Sequence, residues 1–155
     1  MKKLVLPFLL IFLLISAISA QEVIIKKGKY LDPKSGKPFF GVIKENNAEN
    51  RLISETSIKD GLLDGNTTIY YNSGTKKEVR GYSKGKKEGI WKTWNEAGVQ
   101  TAEAGFKNGL KDGNWFIWDD TGVKRYEMFY EKGEKKGLWI IRDENGKEVS
   151  RDEFK

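Results

Sequence analysis

The chain has 155 residues, 28 of them basic and 22 acidic, for a net charge of +6, and it contains no histidine and no cysteine. Those two absences remove the commonest general base, the thiol nucleophile, disulfides and most transition-metal ligands. The surplus of positive charge is mild and lysines alternate with carboxylates, unlike the concentrated basic face of a nucleic-acid binder.

Residues 1–20 read as a secretory signal peptide: Lys2 and Lys3 are the charged start, Leu4 to Ile15 the apolar run, and Ser16 to Ala20 the small-residue cleavage zone. The apolar run is shorter than the ~20 residues of a spanning helix. An exported protein starting near Gln21, in the periplasm, at the cell surface or outside, is therefore expected. No cysteine follows to carry a lipid.

Residues 21–40 read as N-terminal capping strands. Val23-Ile24-Ile25 is a β-branched run, and Tyr30 to Phe39 reads as strand, turn, strand, with Pro33 and Gly36 supplying the turn. Pro38 lacks an amide hydrogen, which places it at a strand start or on an edge.

From residue 37 onward the chain repeats every 24 residues, in units 37–60 (degenerate), 61–84, 85–108, 109–132 and 133–155. Three glycine columns hold the register: Gly61, Gly85, Gly109 and Gly133; Gly65, Gly89, Gly113 and Gly137; Gly74, Gly98, Gly122 and Gly146. Asn50 stands where the degenerate unit needs a third-column glycine, and asparagine tolerates positive φ. Each unit carries two β-prone segments around a polar turn, such as Asn95-Glu96-Ala97-Gly98 or Asp119-Asp120-Thr121-Gly122. Asn or Asp first and Gly fourth suits a type I turn closed by a left-handed glycine. The second connection, Lys84 to Gly89 and its counterparts, is expected to be a tight polar turn bracketed by its two glycines. Short connections on both sides make consecutive strands antiparallel neighbours. The expected fold is all-β: an elongated meander of about five β-hairpin repeats in one twisted antiparallel sheet, about 50 Å across its strands.

Two aromatic columns run through the units. Trp91, Trp115 and Trp139 share a strand face with β-branched residues, and Tyr70, Trp94 and Trp118, followed by Arg142, lie on the opposite face. Tyr82, Phe106, Tyr130 and Phe154 form a column on the return strand. The pattern leaves open which set is buried. The β-branched company of Trp91, Trp115 and Trp139 points to packing, which leaves Tyr70, Trp94 and Trp118 as the exposed, partner-binding candidates and Arg142 as a solvated end. The plainer alternative is that both columns only stack on neighbouring repeats.

Lys84, Lys86, Lys87, Lys107, Lys111, Lys132, Lys135 and Lys136 are expected along one sheet edge, with Glu96, Asp119, Asp120, Asp143 and Glu144 along the other. Such a rim can steer an anionic surface or wall polymer, or it can simply block edge-to-edge aggregation. The acidic pairs lie in turns, where no burial would raise a pKa, and Asp143 to Gly146 with Glu148 lacks the ligand series of a calcium loop. Neither a catalytic site, nor a metal, nor a cofactor is expected.

The pattern G-x-x-x-G-x-W-x-x-W-(N/D)-x-x-G, seen best in GNWFIWDDTGVKRYEMFYEKGEKKG, resembles the bacterial MORN-repeat variant family over roughly residues 41–155. The resemblance implies β-hairpin arrays used in contacts with proteins and in some cases phospholipids, and members are often labelled YwqK-like antitoxins. The expectation is an exported, non-catalytic module for protein–protein interaction or envelope scaffolding. The alternatives are an immunity protein that blocks a toxin and a module that binds lipid or wall polysaccharide.

Overall fold

A computed structural model describes residues 22–155, so the expected signal peptide lies outside the described residues. The described residues form thirteen strands: β1 (Ile24–Lys26), β2 (Lys29–Leu31), β3 (Gly41–Asn46), β4 (Leu52–Lys59), β5 (Leu62–Tyr70), β6 (Lys76–Ser83), β7 (Lys86–Lys87), β8 (Gly89–Trp94), β9 (Gln100–Lys107), β10 (Leu110–Trp118), β11 (Lys124–Glu131), β12 (Glu134–Arg142) and β13 (Glu148–Phe154). β3 to β13 form one 11-stranded antiparallel sheet in chain order, in which β7 and β8 both lie against β6. The all-β meander of hairpins expected from the 24-residue period is the observed architecture.

Each unit closes its hairpin as its turn residues dictate. The Gly98 amide donates to the Asn95 carbonyl at 3.0 Å and the Asn95 amide to the Val99 carbonyl at 2.9 Å, with Gly98 at φ +84°. This is a type I turn followed by a left-handed glycine. The Asn95 side chain accepts from the Val99 amide at 2.9 Å, and Asp119 and Asp143 make the same bond to Val123 and Lys147. Asn50 takes φ +60° at the equivalent place in the degenerate unit.

The second connection differs from expectation. The turn is only two residues long, Lys84-Gly85, Asn108-Gly109 or Lys132-Gly133, with positive φ at both positions, as a type I′ hairpin requires. The second glycine of each pair is not part of it. Instead the next strand carries a bulge: Lys111 faces Phe106 and Trp115 faces Ala104, so Asp112, Gly113 and Asn114 all lie opposite Gly105. A Cβ on Gly105 would come within 2.1 Å of the Asp112 carbonyl oxygen, and one on Gly81 within 2.3 Å of that of Glu88. The bulge presses the chain onto these two glycines and re-aims the tryptophan that follows.

Bonds of fixed sequence separation tie the units together. The turn amides of Gly85, Gly109 and Gly133 donate to the carbonyls of Leu63, Lys87 and Lys111 at 2.7–2.9 Å. The bulge carboxylates of Asp64, Glu88 and Asp112 accept from the amides of Lys84, Asn108 and Lys132 at 2.9–3.1 Å.

At the start of the sheet, β1 and β2 form a hairpin of their own around Lys27-Gly28. The Tyr30 amide donates to the Gly61 carbonyl at 2.9 Å and that of Phe39 to the Tyr30 carbonyl at 3.0 Å. The hairpin thereby holds Val23 and Tyr30 against Phe39, Ile43 and Ile58, on which Leu63 also packs. Ile58 is 2 % exposed, the deepest hydrophobic residue of the core. Pro38 bridges Leu31 just ahead of β3, as its missing amide predicts.

Candidate interaction surface

Strand alternation puts the two tryptophan columns on opposite faces of the sheet. On one face, called here the ladder face, Tyr82, Trp91, Phe106, Trp115, Tyr130, Trp139 and Phe154 form an unbroken series of ring contacts, with centroids 4.6–5.4 Å apart. The rings are tilted or edge-to-face, the arrangements aromatic quadrupoles prefer. Phe106 and Tyr130 are buried at 9 % and 8 % exposure although, among the described residues, no second layer covers them, because neighbouring rings do so. Each indole N–H is spoken for. Trp91 donates to the Gly81 carbonyl at 2.9 Å, Trp115 to that of Gly105 at 3.0 Å and Trp139 to that of Phe129 at 3.2 Å.

Lysines complete this ladder. Lys87 Nζ lies 4.6 Å from the Trp91 centroid and 4.9 Å from that of Phe106. Lys111 lies 4.3 and 4.5 Å from Trp115 and Tyr130, and Lys135 lies 4.4 and 5.0 Å from Trp139 and Phe154. These three side chains lie over rings, not along the turn edge where they were expected, because the type I′ turn ends two residues before each lysine, which already belongs to the following strand.

The opposite face carries Tyr70, Trp94 and Trp118 amid ion pairs. Lys44 meets Glu55 at 2.9 Å, Lys92 meets Glu103 at 3.2 Å, Lys124 meets Glu127 at 3.6 Å and Arg151 meets Glu148 at 2.8 Å. Arg142 pairs with Glu127 and is half-buried, so it is not the solvated end expected from the sequence. The Lys44 ammonium and the Tyr70 hydroxyl, 2.9 Å away, hold the Glu55 carboxyl below its ordinary value, while burial and Glu55 push the Tyr70 phenol up. Trp118 lies 5.8 Å from Phe116, and Lys124 covers both rings.

Tyr70, Trp94 and Trp118 are half-buried, as are Trp91, Trp115 and Trp139, so exposure alone does not separate the columns. Hydrogen bonding does: among the described residues neither Trp94 nor Trp118 gives its indole N–H to a protein acceptor. Beside Tyr70 the surface sinks into a recess of about 440 Å³ lined by Arg51, Leu52, Tyr70, Asn72, Ser73 and Gly74.

The carboxyls with displaced pKa, Asp32, Glu55, Asp119 and Glu148, all move down, towards the charged form. That is the direction of structural hydrogen bonding, opposite to that of a carboxyl poised as a general acid. Among the described residues no three acidic side chains converge as metal ligands would. Comparison with family models, with curated proteins and with solved structures finds no match for the chain.

The residues that the sequence pattern passed over are Gly81 and Gly105 and the bulge acids Asp64, Glu88 and Asp112, while the ring-covering lysines were picked out but placed on the turn edge. The acids and the lysines recur at the 24-residue period, so a signal was present. Gly81 and Gly105 stand beside Ser57 and Phe129 in their column, which hides them.

Proposed function

We propose that this is an exported, non-catalytic repeat module that works by holding another protein against the face bearing Tyr70, Trp94 and Trp118, as an interaction or scaffold element of the cell envelope. The observation that carries this reading is the contrast in indole bonding. One tryptophan column satisfies every N–H on its own backbone, whereas the other leaves Trp94 and Trp118 with donors for a partner. Tryptophan and tyrosine supply large contact areas with a polar handle, which is why they anchor interfaces. The charges around them are paired within the chain, so a partner meets a nearly neutral surface with little unpaired charge to desolvate.

The test is capture from envelope extract, comparing the wild-type protein with W94A/W118A. One stoichiometric protein, lost in the double variant while the circular dichroism and Tm stay close to wild type, is the expected result. A captured toxin that the module silences would assign it an immunity role. Equal capture by both forms, or no protein capture at all, overturns this face as the docking surface.

A further inference from the structure

The two faces differ in how their charge is balanced. On the face with Tyr70, Trp94 and Trp118, five cations are paired with carboxylates. On the ladder face, Arg80 is held by Glu78 at 2.6 Å, but among the described residues Lys87, Lys111 and Lys135 have no carboxylate within salt-bridge reach. On one face the cations are neutralised by carboxylates, and on the other these three ammonium groups are not.

These three ammonium groups are also fixed in space. Each lies over two rings at 4.3–5.0 Å, and Lys111 donates to the Tyr130 hydroxyl at 3.3 Å. A ring holds a cation without neutralising it and removes part of the side-chain freedom that a binding event would otherwise have to remove. Because the lysines recur every second strand, the charges form a line across the sheet at intervals of about 10 Å. In unit 61–84 the same position is Leu63, which packs against the hydrophobic core, so the line begins at Lys87.

We infer that the ladder face is a track for a linear phosphate-bearing polymer, in which Lys87, Lys111 and Lys135 each take a phosphate of one chain laid across the strands. Lysine is a compact point charge, suited to phosphate without the bidentate geometry that arginine imposes. The rings are engaged with one another and with the lysine stems. They offer no free face for stacking bases, as single-stranded nucleic acid requires, and no apolar edge for insertion between lipid tails. This site lies on the opposite side of the sheet from the proposed protein-docking face and does not depend on it.

The experiment titrates the protein with long-chain linear inorganic polyphosphate, reading tryptophan emission at several salt concentrations. Three variants are compared with wild type: K87Q/K111Q/K135Q on the track, K84Q/K86Q/K132Q on the turn edge with the same loss of charge, and K87R/K111R/K135R. The track triple is expected to lower the slope of log affinity against log salt by about 2, since each lost phosphate contact on a single strand removes about 0.7. The turn-edge triple is expected to bind nearly as wild type, and the arginine triple to retain binding, which shows that a folded ladder with its charge is sufficient. Equal weakening by the two glutamine triples would reduce the effect to net charge and overturn the track. So would binding of triphosphate as tight as that of the long chain, or displacement of the polymer by a poly-glutamate peptide or by anionic vesicles at lower charge concentration.

Discussion

The first and the later repeats place side chains on the same backbone register yet stabilise themselves differently. At the start of the array, Phe39 and Ile58 of unit 37–60 and Leu63 of unit 61–84 occupy columns that further on hold Lys87, Lys111 and Lys135 and the rings of Tyr82, Phe106, Tyr130 and Phe154. This first set is covered by β1, β2 and the segment leading into β3, and Ile58 is 2 % exposed as a result. The aromatic set has no covering layer among the described residues. Its rings bury one another edgewise, and lysine stems cover what remains. A single sheet can therefore gain its burial from an added segment, which terminates the array, or from side chains wide enough to cover each other, which allows it to continue.

The sharpest break of that comparison is Gly105→Ala. With the Asp112 carbonyl 2.1 Å from the new Cβ, unfolding titrations should show a loss upwards of ~3 kcal/mol. Ser57→Ala, at the same column position in the degenerate unit, should stay within about 0.5 kcal/mol. A mild Gly105→Ala would mean that the bulge does not set the ladder. Next comes Ile58→Ala, expected to cost about 3 kcal/mol because the β1–β2 hairpin cannot collapse into the space. Trp115→Ala follows at about 2–3 kcal/mol, reduced from a fully buried tryptophan because the ring is half-exposed. Trp118→Ala, with no bonded indole, should cost about 1 kcal/mol. Equal losses at Trp115 and Trp118 would erase the distinction between the two faces.

A smaller effect is expected at the joints between units. Asp112→Ala leaves the Lys132 turn amide without its carboxylate at 3.1 Å, and a loss of about 1 kcal/mol is expected, comparable with losing a helix N-cap. Chemical denaturation that showed no change would remove the bulge acids from any account of how units join. The smallest is a pH effect. The Thr121 hydroxyl and the amides of Thr121 and Val123 hold Asp119 below its ordinary value of 3.8. Its folded form binds the proton less readily than its unfolded form, so its contribution is complete above that value and is lost as pH falls through the lower folded pKa. In Asp119→Asn, Tm should fall less steeply on acidification over that range, and a parallel fall would leave the turn carboxylate without influence.

The fold was legible because its instructions are local and repeated. A 24-residue period, Asn or Asp followed at the fourth place by Gly, and short polar connections leave an antiparallel meander as the only short-linked solution, and even Asn50 at positive φ could be anticipated. The strand bulge was not legible. Gly89 and Gly113 look like turn residues, and only the pairing register shows that Lys84-Gly85 and Asn108-Gly109 turn the chain unaided. That misplacement carried Lys87, Lys111 and Lys135 onto an edge instead of onto the rings. The roles of the two tryptophan columns were equally hidden, because alternation puts both on a strand and only the acceptors at Gly81, Gly105 and Phe129 distinguish them.

The bonds between units join residues at constant separations: 20 from each turn amide to its bulge acid, 22 from each turn glycine to the carbonyl behind it and 10 from each indole to its acceptor. An in-frame duplication of one 24-residue block would therefore reproduce every joint without redesign, adding two strands, one ring pair and one ammonium group in a single genetic event. Such an array can adjust its reach by counting, and it can do so without passing through an unfolded ancestor.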